Sequence, residues 1–176
     1  MTEGLDQVTR WLLAARGGDP VATAAFVRAT QPQVWRLAAA LVDVQVADDL
    51  TQETYLRAFR ALPDFAARSA ARTWLLGIAR RACADHLRTV VRQRRADAAV
   101  GPPVEAVPDP TGEVGTRDLL RQVDPAQRGA FVLTQVLGLS YAEAAAVEGV
   151  PVGTIRSRVA RARATLVEAL TSALAS

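Results

Sequence analysis

Four arginines fall within RSRVARAR, residues 156–163, interleaved with Val159 and Ala162 and bordered by Ile155 and Leu166. A guanidinium is a permanent cation with forked donors, matched to phosphate oxygens and to the acceptor edge of guanine. At about 100° per residue, Ile155, Val159, Ala162, Leu166 and Leu170 gather on one side of a helix. Ser157 stands opposite, flanked by Ala160, Arg161 and Thr154, with Arg156 and Arg158 at the two borders and Arg163 close to Arg156. One face can therefore be buried. The other offers small side chains that admit a groove floor, and arginines that reach phosphates and a base edge. The plainer alternative is a solvated, arginine-rich helix. The residues before it favour DNA contact: Ser140 and Glu143 form a capping box, a short helix runs to about Val147, and a turn follows at Glu148–Val150. Short helix, tight turn and basic amphipathic helix together read as a helix-turn-helix.

A second cluster has the opposite sign. Asp48, Asp49, Gln52 and Glu53 crowd the start of a helical stretch, ADDLTQETYLRAFRAL. Acids there suit a basic partner surface, and they also suit ordinary helix capping. Magnesium binding is a third possibility. Adjacent acids on one helix make a poor metal cage, and no nucleophile accompanies them. One cysteine, Cys83, and one histidine, His86, exclude an ordinary zinc site and an internal disulfide. Neither enzyme chemistry nor a cofactor is expected.

The elements that must carry these residues are helical. The 176-residue chain is 50% hydrophobic, enough for a core, and has a formal charge of +3 with all 21 cations arginine. Its pI is about 9.9. Val8, Trp11, Leu12 and Ala15 mark a first helix ended by Gly17–Gly18, and Asp19–Pro20 caps a second through Phe26, Val34, Leu37 and Leu41. The acidic stretch forms a third, ended at Pro63; ARTWLLGIARRACADHLR forms a fourth, with Trp74, Leu75, Ile78 and Leu87 as its apolar positions. Residues 99–115 hold four prolines and three glycines without a periodic apolar face, and read as a flexible linker. Asp124–Pro125, with Gln127 placed for a capping box, opens a helix to about Leu137, where Gly138 suits the end. The expected fold is all-α: two small helical domains, 1–96 and 116–176, joined by a tether at 97–115. The single cysteine fits a reduced, cytoplasmic setting. The N-terminus does not read as a signal peptide, and no run approaches the ~20 apolar residues of a membrane span.

At this point the residues resemble a known family. LSYAEAAAVEGVPVGTIRSRVARARATL is similar to the fourth conserved region of bacterial sigma factors of the extracytoplasmic-function group. ADDLTQETYLRAFRAL followed by ARTWLLGIARRACADHLR resembles that group's second region. The resemblance implies a non-catalytic subunit that binds core RNA polymerase and directs promoter-specific initiation. The N-terminal domain would open the minus-ten element; the C-terminal domain would read the minus-thirty-five element. Asp48, Asp49, Leu50, Gln52 and Glu53 match the motif used against the coiled coil of the polymerase's largest subunit. The loop 64–75 matches the place where an unstacked base is captured, making Phe65, Arg68, Ser69 and Arg72 the candidates. Many relatives carry Phe-Arg-Gly there; this chain has Phe65-Ala66-Ala67-Arg68. Arg80, Arg81 and Arg88, with Arg92, Arg94 and Arg95 beyond, would follow the promoter backbone. In the recognition helix, Arg156, Ser157 and Arg161 match positions for base and nearby phosphate contacts, Thr154 and Arg158 serve the backbone, and Ala160 offers little direct readout. Trp74 and Cys83 are expected in the core and His86 at the surface. An anti-sigma partner is a further implication, and no additional C-terminal sensory domain is expected. A stand-alone helix-turn-helix regulator would account for the C-terminal half and leave the acidic patch and the Trp74 helix unexplained.

Overall fold

The computed structural model describes residues 5–98 and 116–174; the stretch read as a linker lies outside them. Among the described residues every regular element is helical. The N-terminal half holds α1 (Gln7–Arg16), α2 (Pro20–Leu41), α3 (Ala47–Ala61) and α4 (Ala71–Ala98), with single 3₁₀ turns at Val44–Val46 and Leu62–Asp64. The C-terminal half holds α5 (Thr116–Arg121), α6 (Pro125–Phe131), α7 (Tyr141–Glu148) and α8 (Val152–Leu174). A π-helical turn, Val132–Val136, prolongs α6.

The caps follow the side-chain chemistry. Asp6 accepts from the Thr9 amide at the start of α1, and Asp19 from the Val21 and Ala22 amides at the start of α2. Asp124 caps α6 through the Ala126 and Gln127 amides. The box expected there is not completed: Gln127 contributes its backbone N–H, and no reciprocal side-chain bond forms among the described residues. Pro32 lies inside α2, where it removes one ladder donor. The helix continues because Phe26, Val34, Leu37 and Leu41 are all buried on either side of it. Burial of side chains of this size is worth roughly 1.5–3 kcal/mol each, enough to outweigh local propensity.

The core is one body. A single cluster of buried residues runs from Leu12, Phe26 and Leu37 through Leu75 and Leu76 to Leu133, Ile155 and Val159. Helix α4 packs on α2 and α3 along one side and on α7 along another. The two halves therefore lie against each other. Buried hydroxyls tie the N-terminal helices. Thr9 Oγ1 donates to Asp6 at 2.5 Å and accepts the Ala71 amide at 2.8 Å, satisfying the first N–H of α4. Thr30 donates to the Phe26 carbonyl and meets the Tyr55 hydroxyl at 2.6 Å, and burial pushes the Tyr55 phenol up. Cys83 is 1% exposed, and burial raises its thiol to about 11, so it is an inert core residue. Leu87, expected among the apolar positions of α4, is 38% exposed; the buried positions include Leu76 and Ala79 instead. His86, expected at the surface, is half-buried and lines a surface groove beside α3.

Candidate nucleic-acid interface

Helix α7 begins with the expected capping box. The Ser140 hydroxyl accepts from the Glu143 amide at 3.2 Å, and Glu143 Oε2 accepts from the Ser140 amide at 2.8 Å. These hydrogen bonds hold the Glu143 carboxyl below its ordinary range, with the Arg72 charge assisting. Gly149 closes α7 at φ +67°, a left-handed conformation in which a Cβ would be strained. The chain then turns at Pro151, whose carbonyl accepts the Thr154 and Ile155 amides and starts α8.

In α8, Ile155, Val159 and Ala162 are fully buried, whereas Leu166 is half-buried and Leu170 is 49% exposed. The buried stripe is thus shorter than the helical wheel suggests, because α6 and α7 cover only the first turns. Arg156, Ser157, Ala160 and Arg161 are exposed, and Thr154 and Arg158 are half-buried. The Ser157 hydroxyl donates to the Thr154 carbonyl at 3.0 Å. Arg163 leans away from this face and donates to Gln135 at 2.6 Å.

The second candidate surface surrounds the loop before α4. Phe65 does not present its ring there. It is 3% exposed, and its centroid lies 4.9 Å from that of Trp74. Placing Phe65 among base-capturing residues is corrected by this packing: the aromatic pair forms the floor under the loop. The Arg16 guanidinium donates to the Phe65 carbonyl at 2.7 Å and pins the loop's entry. Ala67 sits at φ +52°, the conformation that suits the glycine of the Phe-Arg-Gly pattern. Arg68 and Ser69 are exposed. Arg72 is not free: it donates to Gln33 at 2.5 Å and to the Leu137 carbonyl in the other half. Arg81 and Arg88 are exposed on α4, with Arg88 paired to Asp85. Arg92, Arg94 and Arg95 are exposed near its end.

The acidic cluster occupies the first turns of α3. Asp48, Asp49 and Gln52 are exposed, while Leu50 points into the core at 5% exposure. Asp48 accepts from Trp35 Nε1 at 3.1 Å, so a tryptophan of α2 orients one carboxylate of the patch. Nothing in the spacing of Trp35 revealed that role. Glu53 pairs with Arg57 at 2.7 Å, and Arg57 bridges on to Asp85 of α4 at 2.5 Å. Arg57 holds the Asp85 carboxyl below its ordinary range. Among the described residues no cluster of metal-ligating side chains forms, and no helix is long and apolar enough to cross a membrane.

The halves meet along a polar seam that the sequence did not disclose. Glu148, the last residue of α7, has a side chain only 3% exposed. Arg80 Nε of α4 donates to it at 2.8 Å, and Arg158 of α8 lies 3.6 Å from its other oxygen. Arg128 donates to the Leu41 carbonyl at 3.3 Å, its guanidinium pKa lowered by burial, and Arg121 pairs with Asp43 at 2.5 Å. Glu148 reads as a turn residue in the sequence; only the docking of α4 on α7 shows what it holds.

These surfaces now have relatives. The Sigma-70 region 2 family profile matches residues 26–94, and the Sigma-70 region 4 profile matches residues 116–166. The chain belongs to the sigma-70 family. It is 51% identical over 168 residues to the ECF RNA polymerase sigma factor SigC of Mycobacterium tuberculosis, covering 92% of this chain and 90% of that protein. It is 35% identical to the RNA polymerase sigma-H factor of Pseudomonas aeruginosa, covering 73% of this chain and 75% of that one. It is thus a sigma factor of the extracytoplasmic-function group. Two solved structures share its architecture. One is the sigma factor RpoE of Bartonella quintana in complex with the anti-sigma factor NepR, with TM-score 0.71, 29% identity and coverage of 85% of this chain and 96% of that one. The other is CnrH in complex with the cytosolic domain of CnrY, with TM-score 0.73, 27% identity and coverage of 95% and 99%. Region 2 takes in the acidic face of α3 and the arginines of α4 as far as Arg94, and region 4 takes in the helix-turn-helix of this sigma factor.

Proposed function

We propose that this sigma factor joins core RNA polymerase through α3 and contacts promoter DNA at two separate surfaces. Asp48, Asp49, Gln52 and Glu53 form the polymerase-facing patch, directed at the coiled coil of the largest subunit. Leu50 anchors that turn from inside, and Trp35 orients Asp48. Arg68, Ser69, Arg72, Arg80, Arg81 and Arg88 serve the minus-ten region, with Phe65 supporting the loop from below. Thr154, Arg156, Ser157, Arg158, Ala160 and Arg161 face the minus-thirty-five element. Residues 1–96 and 116–176 act as the two functional units, joined by 97–115. The protein contributes specificity and performs no catalysis of its own.

The exposed face of α8 carries the reading. Arg156, Ser157, Ala160 and Arg161 lie together on the solvent side of a helix whose opposite face is locked into the core by Ile155 and Val159. A stand-alone regulator would need no second surface, yet region 2 matches across 26–94. One solved relative is bound by an anti-sigma factor and the other by the cytosolic domain of CnrY, and an anti-sigma partner is proposed here. Run-off transcription with sigma-free core polymerase on a promoter library tests the function. Initiation at promoters sharing two spaced elements is expected; no initiation from any promoter would reject it.

A further inference from the structure

The proposed DNA surfaces cannot both be used in the arrangement described. By their names the two promoter elements lie about 25 base pairs apart, roughly 85 Å of duplex at ~3.4 Å per step. Here α4, which carries the minus-ten arginines, packs directly on α7 of the helix-turn-helix. A chain that holds both elements must first part these helices.

Glu148 stands where they part. A carboxylate this deeply buried is tolerable only with cations and donors around it. It has two, from different places: Arg80 of α4 at 2.8 Å, and Arg158 of α8 at 3.6 Å. Gly129 completes the pocket: a Cβ there would come 2.8 Å from Glu148 Oε1 and 3.8 Å from Leu41 of α2. The absence of that Cβ lets the carboxylate sit between the halves. Both arginines belong to the proposed DNA surfaces. A phosphate would offer them the same charge and the same acceptor geometry. Arg72 is held in the same way, by Gln33 and the Leu137 carbonyl.

We propose that Glu148 is a latch: its buried carboxylate, occupying the place of a DNA phosphate between Arg80 and Arg158, keeps the unbound sigma factor closed and must be released before the promoter is engaged. The latch rests on the assignment of α4 and α8 to DNA, and it adds a named residue that sets the cost of opening. Loss of the Arg80 pair leaves the carboxylate buried with one distant cation, so the closed form is penalised strongly. Arg158 stays beside Glu148 within the C-terminal half after opening, so the Arg80 bond is the one that breaks.

The test uses the full chain and the variants Glu148→Gln and Arg80→Gln, each checked for unchanged helix content by circular dichroism. Small-angle scattering reads compaction without DNA. Both variants are expected to expand relative to the parent. Combining them should expand the chain no further, since either change removes the same bond. Glu148→Gln should also bind a minus-thirty-five duplex at least about fivefold more tightly without polymerase, the lower end of ordinary coupling between sites. Its holoenzyme should initiate as the parent does. Scattering curves identical to the parent for both variants, or additive expansion in the double variant, would overturn the latch. Failure of the parent to direct initiation would instead overturn the functional assignment, whatever the scattering shows.

Discussion

The recognition helix and the arginine-bearing stretch of α4 are built from the same residue types and end in different states. Arg156 and Arg161 of α8 stand exposed, and among the described residues the hydrogen bond between them is the local one from Ser157 to the Thr154 carbonyl. Arg72 and Arg80 of α4 are half-buried, each bound to an acceptor in the other half of the molecule. A basic side chain becomes a nucleic-acid ligand only when nothing nearer satisfies it. By that measure part of the face proposed for the minus-thirty-five element is ready in the free protein, and part of the face proposed for the minus-ten element is spoken for.

The largest effects should come from the core that joins the two faces. Ile155→Ala and Leu75→Ala each remove a fully buried side chain, one from the inner face of α8 and one from α4. Each is expected to cost about 2–5 kcal/mol in chemical denaturation. Because the cluster is continuous, one cooperative transition should be seen in both variants. Two separate transitions would show that the faces do not share a core. Next in size, Arg161→Ala should weaken minus-thirty-five binding by ~1–3 kcal/mol if the arginine reads a base edge, with little change on unrelated duplexes. Equal loss on every sequence would reduce Arg161 to a phosphate contact, and the comparison with α4 would then be one of exposure alone.

Smaller changes probe how each face is supported. Ser140→Ala removes the cap of α7 and is expected to cost about 1 kcal/mol. The same box gives a pH signature. Glu143 is held below its ordinary range by Ser140, so its stabilisation is present at neutral pH and is lost as pH falls through the carboxylate range toward the lowered folded value. Glu143→Gln should flatten that acid limb in a stability-against-pH curve; an unchanged limb would place the effect elsewhere. The smallest effect belongs to the loop before α4. Ala67→Gly relieves a residue at φ +52° and should stabilise by less than about 1 kcal/mol, since glycine's extra freedom in the unfolded chain offsets part of the gain. A loss of stability would mean that the Ala67 methyl makes contacts that matter more than its backbone.

Much of this was legible in the residues. Helical periodicity and caps such as Asp19, Asp124 and Ser140 are local, so they announce themselves in order along the chain. The exposed side of α8 followed from the wheel for the same reason. Partnerships between distant segments did not. Phe65 looked available beside Arg68 until Trp74 took its ring, and Leu170 looked buried until the covering helices proved too short to reach it. Trp35 and Glu148 carried no signal at all. Their roles depend on which helix comes to lie opposite, at separations of 13 residues for Trp35 to Asp48 and 68 for Arg80 to Glu148.

The proposed latch requires one geometric change, closed when free and extended on a promoter. Val21 of α2 and Val167 of α8 are 73% and 63% exposed, so single cysteines there can carry dyes, with buried Cys83 replaced by alanine. Energy transfer between them, measured on the free chain and then in the polymerase–promoter complex, reads that change directly. High transfer falling sharply on promoter binding is the expected result. The same high transfer in a complex that initiates transcription would contradict it.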